Sequence, residues 1–476
     1  MRRKPSKAKI IESLVLLIYH LIRLLAERQS KIDELKQRLS EYEEKINDLK
    51  EKAQDKELST PSGMKPVYEK TNRGQNRAKK LGCKQGHPGY RRDKPQEVDK
   101  IKEWSIEICP KCQNILSERA TEVVIRYTED IKIEKSETTE HHIERKYCPV
   151  CDEIVTAPMT DALPKSQLGL NTLVISAWLH YFLGITLGSL INFFGITSLI
   201  TISKGYLSHA WNRLAEILKP YYEEIKQQAR DSAVLNVDES GWRNNGVTDW
   251  LWCFTNKILV FFTIEKSRGS PVLFEILGGL FNGVLICDFY GAYNQIVALA
   301  KQRCIVHLLR EIKKVSQRNS TAQWVNFAGD VKRLFKSAVL LGKDRDKLSE
   351  QQYESKKRRL HKRLINLYSA SYEDKDCQRL AKRWLYKYRN ELFTFLDYPD
   401  VDSDNNHAER GIRRPVTMRK NSYGNRSDRG VETQAIMMSI FATLKMRGIN
   451  PVEFVINALK EWIRTGMLPP LPGKIS

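Results

Sequence analysis

From Ile11 to Leu49, apolar side chains recur in alternating steps of three and four residues. Positions 11, 14, 18, 21, 25, 28, 32, 35, 39, 42, 46 and 49 carry Ile, Leu, Ile, Leu, Leu, Arg, Ile, Leu, Leu, Tyr, Ile and Leu. Only Arg28 interrupts this seam, and no glycine or proline breaks it, so residues 1–56 are expected to form one long coiled-coil helix that needs a partner. The pattern then collapses. Residues 57–105 hold Thr60-Pro61-Ser62-Gly63 and Gly86-His87-Pro88-Gly89 among scattered basic positions and read as a linker. Residues 122–146 alternate charged with β-branched positions, as an exposed antiparallel hairpin would. Helical spacing returns over 169–219, within a unit expected to span 158–230. There Leu187–Gly195 and the Ser203-capped helix that follows read either as a helix-turn-helix or as an ordinary pair of antiparallel helices.

From Asp231 the period switches to two. Residues 232–236, 250–255 and 258–264 read as three strands, followed by a helix over 271–277, a strand over 283–287, a helix over 292–301 and a fifth strand over 303–307. Three antiparallel strands followed by alternating helices and strands is the order of a ribonuclease-H-like core, here its first part, 231–312. Residues 313–398 are charged, helical and poor in strand signals, and read as an all-α insertion. Residues 399–476 complete the core. The expected fold class is therefore multidomain α/β, with a coiled coil, a small zinc-ribbon-like domain (106–157) and a helical domain preceding a ribonuclease-H-like core.

Charge narrows the partners. The 476-residue chain carries a formal net charge of +22 with 41% hydrophobic residues, a folded basic protein suited to a polyanion such as DNA. Between Lys65 and Lys94 ten Lys or Arg face two acids, and Arg91 and Arg92 end this arm close to its Gly-His-Pro-Gly turn. The apolar stretch 10–25 is interrupted by Glu12, His20 and Arg23 and is too short to span a bilayer, so no membrane association and a cytoplasmic location are expected. The cysteines agree with a reducing compartment. Cys109-Pro110-Lys111-Cys112 and, 35 residues on, Cys148-Pro149-Val150-Cys151 offer four thiolates with the spacing of a closed structural Zn²⁺ site.

Three acids sit where metal-dependent phosphodiester chemistry needs them. Asp238 follows the apolar run 233–237, Asp288 follows 283–287, and Glu409 lies in the cap-rich stretch Asp404-Asn405-Asn406-His407-Ala408-Glu409-Arg410, which reads as a helix start. Two carboxylates at strand ends and one on a later helix can converge on a pair of Mg²⁺ or Mn²⁺ ions. Arg410, Arg413, Arg414, Arg419, Lys420, Arg426 and Arg429 fall within twenty residues, opposed only by Asp428, which points to phosphate contact. Lys204, opening the second helix of the possible helix-turn-helix, is a further DNA candidate. His307-Leu308-Leu309-Arg310 raises a rival, the His-x-x-Arg element of tyrosine recombinases, with Tyr353 as the next tyrosine.

These motifs together resemble the transposases of the insertion sequence 66 family. The resemblance runs through the coiled coil, the basic arm, the paired Cys-x-x-Cys element, Val237-Asp238-Glu239-Ser240, Cys287-Asp288-Phe289-Tyr290-Gly291-Ala292-Tyr293, Cys304-Ile305-Val306-His307, Asn405-Asn406-His407-Ala408-Glu409-Arg410-Gly411-Ile412-Arg413 and Arg419-Lys420-Asn421. Ser240 stands where relatives usually carry threonine. The resemblance implies that Asp238, Asp288 and Glu409 are a catalytic DDE triad using Mg²⁺ for DNA cleavage and strand transfer. It also implies accessory proteins of the same element as partners. A homodimer or higher oligomer is expected from the coiled coil. The alternatives are a transposase-derived DNA-binding protein without catalysis, and a ribonuclease-H-fold nuclease that cuts without joining.

Overall fold

The computed structural model describes residues 95–118, 122–128, 136–198 and 200–473. The expected coiled coil, Arg91, Arg92 and most of the basic linker lie outside the described residues. The chain divides between Val123 and Val124 into two compact units. In the first, Ile108 and Ile115 form an antiparallel bridge beneath the Cys109–Cys112 turn, and Gln113 adopts a left-handed φ of 64°.

In the second unit, β1 (Arg145–Cys148) and β2 (Glu153–Thr156) pair antiparallel around the Cys148–Cys151 turn, with Asp152 at φ 56°. The hairpin expected over 122–146 is thus displaced: among the described residues from 122 to 144 there is no strand. That stretch holds no glycine, proline or asparagine on which to turn, whereas Cys-Pro-Val-Cys-Asp supplies a tight turn.

Helices α1 (Leu170–Tyr181), α2 (Leu187–Thr197) and α3 (Lys204–Arg230) lead into the main sheet. Strands β3 (Val234–Asn244), β4 (Val247–Thr255) and β5 (Val260–Glu265) form an antiparallel meander. Helix α4 (Ser270–Leu277) leads to β6 (Leu280–Cys287), and a 3₁₀ turn (Gly291–Asn294) leads to β7 (Val297–Arg303). Both late strands run parallel to β3, giving the spatial order β5-β4-β3-β6-β7. The helix expected over 292–301 is therefore a 3₁₀ turn followed, from Val297, by strand β7. Val297, Ala298 and Ala300 pair with β6 around an irregularity at Leu299, and a sheet edge wins over the helix propensity of alanine. The expected fifth strand at 303–307 is overturned with it: the chain turns at Cys304 into α5 (Ile305–Val315).

Then follow α6 (Ala322–Lys343), α7 (Glu350–Ser369), α8 (Lys375–Leu380) running on into a π-helical turn (Ala381–Tyr386), α9 (Thr394–Asp397), α10 (Asn406–Ser422), α11 (Asp428–Met446) and α12 (Pro451–Thr465). Alternate residues of β6 separate two cores. Phe281, Leu285 and Cys287 join side chains of α1, α3, α4, α11 and α12 on one face; Val284 and Ile286 join those of α5 to α9 on the other. Residues 158–230 thus build no core of their own, because Leu207, Trp211 and Leu214 of α3 share a cluster with Leu235 and Phe261 of the sheet. Edge strand β5 is covered by α11, whose Ser439 and Thr443 hydroxyls accept the backbone N–H groups of Phe262 and Val260 at 2.9 and 3.1 Å. Among the described residues, no helix is long and apolar enough to cross a membrane.

Candidate active site

Parallel pairing brings the first two acids together. The last paired residues of β3 and β6 are Asn236 and Ile286; Asp238 and Asp288 each lie two positions further on. Side chains alternate, so both acids share the face of Val284 and Ile286, beneath the helical insertion. Asp238 does not end its strand, as the sequence suggested, because β3 runs on to Asn244 through antiparallel pairing with β4, closed by a bridge from Asn244 to Asn425.

Helix α10 delivers the third acid. It packs on β3 and β4, and at Gly411 its backbone comes so close that an added Cβ would lie 3.0 Å from the Cys253 sulfur, on the residue paired with Asp238. Glu409 sits in the first turn of this helix. Asn405, the residue before the helix, is fully buried and stitches the two elements: its Nδ2 donates to the Val237 carbonyl (2.8 Å), and its Oδ1 accepts from Asn236 Nδ2 (3.1 Å). The Asn405 N–H donates to Cys304 Sγ at 3.2 Å.

The electrostatics register this convergence. Burial, then the negative charges of Glu239, Asp288 and Glu409, push the Asp238 carboxyl well above its ordinary range. Burial likewise raises Asp288, partly offset by the Tyr290 N–H it accepts at 2.8 Å. Buried carboxylates crowded this way are costly unless protonated or joined by a cation, and an all-oxygen donor set of this kind can hold Mg²⁺ or Mn²⁺.

A second set of residues frames the acids. Glu239, on the opposite face of β3, accepts from Arg268 Nε and Nη2 at 3.0 and 2.8 Å and from the Tyr293 hydroxyl; burial lifts its carboxyl to about 7. Arg268 lies over the Tyr290 and Trp250 rings at 4.1 and 4.7 Å. Arg303 is fully buried. It donates to the Asp288 carbonyl (2.7 Å), Asn294 Oδ1 (2.7 Å) and Glu391 Oε2 (2.5 Å), and stacks on Tyr388 at 4.6 Å. Sequence reasoning missed Arg268, Arg303 and Glu391; Glu239 and Tyr293 stood in motifs it quoted, but without a role.

His307 and Arg310 face Glu409 from one turn of α5, not from a strand. Arg310 Nη1 and Nη2 each donate to one Glu409 oxygen at 3.1 Å, and His307 Nδ1 lies 3.9 Å away, buried with no hydrogen-bond partner. Burial holds the imidazole below its usual range, partly offset by the charge of Glu409. The ligand atoms of Cys304, His307 and Glu409 lie within 4.8 Å of one another, though burial raises the Cys304 thiol to about 11. The tyrosine-recombinase rival fails at Tyr353, which is buried with its hydroxyl donating to the Leu396 carbonyl at 2.8 Å.

Among the basic residues, Arg413 and Lys420 follow Glu409 at four and eleven positions and share its stripe of α10. Arg410, Arg413, Arg414, Lys420 and Arg426 are exposed. Arg414 lies over the Phe182 ring at 4.3 Å, and Arg419 reaches Ser240 Oγ at 3.5 Å. Arg429 is instead paired with Glu216 at 2.5 Å. Lys204 is exposed on the first turn of α3 and forms no ion pair or hydrogen bond with the acids among the described residues.

The two cysteine turns match each other. At Cys109 the backbone N–H groups of Cys112 and Lys111 hold the thiol below its usual value; at Cys148 those of Cys151 and Val150 do the same. In each, the residue four positions after the first cysteine is left-handed, Gln113 and Asp152.

The chain is 26% identical over 293 residues to the uncharacterized protein y4qI of Sinorhizobium fredii (strain NBRC 101917 / NGR234), covering 55% of this chain and 52% of that one. It is 22% identical over 293 residues to the uncharacterized protein y4jD of the same organism, covering 55% and 56%. The chain thus spans about half the length of the curated relatives it matches. A family profile described as Transposase IS66 family matches residues 165–433, from the loop before α1 into α11, and so takes in Asp238, Asp288 and Glu409. The chain belongs to the transposase IS66 family.

Proposed function

We propose that this transposase is of the DDE type, binding the ends of a bacterial insertion sequence and carrying out metal-dependent DNA cleavage and strand transfer. The observation that carries the reading is the meeting of Asp238 and Asp288, two residues past the last β3–β6 pair, with Glu409 on the helix that crosses β4 at Gly411. The strand order β5-β4-β3-β6-β7 supports a ribonuclease-H-like core interrupted by an all-α insertion.

Asp238 would be shared between two Mg²⁺ or Mn²⁺ ions, with Asp288 holding one and Glu409 the other. Bound there, such cations would supply activation of a water or 3′-hydroxyl and stabilisation of the departing 3′-oxygen. The chain's own residues do the rest. Arg310 neutralises Glu409 and must release its oxygens for a cation to bind. Arg413 and Lys420, on the stripe of Glu409, hold phosphates beside the scissile bond. Asn405 fixes α10 against the strand that bears Asp238. Zn²⁺ at Cys109, Cys112, Cys148 and Cys151 is proposed from the spacing of the two Cys-x-x-Cys pairs in the sequence, as a structural ion. Homodimerisation, and accessory proteins of the same element, belong to the same reading.

The experiment incubates the full chain with DNA bearing the sequences that flank its gene, with Mg²⁺ or Mn²⁺, and compares it with Asp288→Asn. Cuts at the element boundary that vanish with EDTA or in the variant are expected. Joined products separate a transposase from a nuclease that only cuts. DNA binding with no cleavage under any condition would leave a non-catalytic DNA-binding protein.

A further inference from the structure

The helical insertion carries a second basic surface that the acidic site does not use. Where α8 runs into the π-helical turn, Arg379, Lys382, Arg383, Tyr386, Lys387 and Arg389 line one shallow concavity. Among the described residues only Arg379 of these meets carboxylates, Glu311 at 3.2 Å and Asp376 at 3.4 Å. Arg389 donates to the Tyr386 carbonyl at 2.9 Å and lies over its ring at 4.5 Å, while Lys387 lies 5.2 Å from the Tyr388 ring. Lys382, Arg383 and Lys387 are exposed and have no acidic partner among the described residues.

A solvated helix face ordinarily mixes signs. Here four cations without a carboxylate share one hollow, and their mutual repulsion is relieved by a polyanion. Long side chains around an open hollow suit phosphate oxygens rather than base edges. The inner side of the same segment adjoins the acidic site: Trp384 packs on Phe289 with ring centroids 4.1 Å apart, and Phe289 follows Asp288 in the chain. Helices that depart from α geometry by such a turn are often found at functional sites.

We propose that this concavity binds the DNA backbone, extending the phosphate track from the acidic site across the insertion without reading sequence. The inference rests on the transposase reading. It is tested on the full chain with Lys382→Gln, Arg383→Gln and Lys387→Gln combined, checked for native circular dichroism. Affinity for a duplex carrying the element's end, and for an unrelated duplex, is measured against salt concentration. With three cations withdrawn from the DNA backbone, the slope of log affinity against log salt should become shallower by about 2.7 for both duplexes, at about 0.9 per neutralised phosphate. An unchanged slope overturns the proposal while leaving the transposase reading intact, whereas a native chain that binds neither duplex overturns both. Acetylation of the native chain asks the same without substitution: duplex DNA should protect Lys382 and Lys387, and equal labelling with and without DNA overturns the assignment.

Discussion

Asn405 uses both ends of its amide between β3 and α10, and nothing in its composition announces this. In the sequence it reads as one more capping residue before a helix, yet no side-chain cap bond forms there. Replacing it with alanine leaves the Val237 carbonyl and the Asn236 amide without a partner, at a cost of about 1–3 kcal/mol. Denaturant unfolding should show that loss for Asn405→Ala, and cleavage should fall by more than the loss of folded protein explains. Arg303 is the harsher case. Arg303→Met strands Glu391 and frees the Asp288 carbonyl, and removing one member of a buried ion pair costs about 3–5 kcal/mol. A variant as stable as the native chain would show that Arg303 does not organise the site. Asp238 and Asp288 were singled out in the sequence because an apolar run followed by a carboxylate is a local signal, although β3 runs on past Asp238. Glu239, Arg268, Tyr293 and Arg303 were not, since each is defined by partners distant in the chain.

At the scale of elements, β3 to β6 and the helix start before Glu409 were legible, and β7 was not. Val297 and Leu299 lie 60% and 63% exposed on this edge strand, so its apolar positions mark no buried face, and alanine and lysine between them favour helix equally well. Helix α1 carries a pH dependence. His180 stacks on Trp211 at 4.7 Å, its Nδ1 bonds the Ile185 carbonyl at 2.7 Å, and burial holds its imidazole below the ordinary 6.5. Above pH 6.5 both folded and unfolded chains hold it neutral. As pH falls below that value the unfolded chain takes up the proton first, so stability drops until the folded-state value is passed. Thermal unfolding from pH 7.5 to 5 should show this decline, and His180→Gln should lessen it, with His307 and His361, also lowered by burial, supplying the remainder. At the far end of α10, Gly424 has φ 88° and an added Cβ would meet the Arg243 carbonyl at 2.1 Å, so Gly424→Ala should loosen the β3–α10 junction and lower the melting temperature.

For the whole molecule, the sequence indicated α/β architecture and drew a boundary at 230, where the period changes from helical to strand-like. Residues 158–230 looked separate because their helical period differs from the strands that follow. Their apolar faces nevertheless finish the core on one side of the sheet, and composition does not reveal which helix covers which strand. The cysteine turns give a prediction at this scale. Cys148→Ser should remove about one Zn²⁺ per chain by atomic absorption and expose residues near 106–157 to protease. Unchanged metal content would rule out zinc at these cysteines.

The order in which the acids occur along the chain bears on synthesis. A chain made only as far as Leu396 would hold Asp238, Asp288 and the insertion, but neither Asn405 nor Glu409, and β5 would lack the hydroxyls of α11 that cover its edge. Such a chain could neither assemble the three-acid site nor protect its sheet from pairing with another strand. On the ribosome, therefore, the three-acid cluster should be completed late and abruptly, with the helix that also secures the fold.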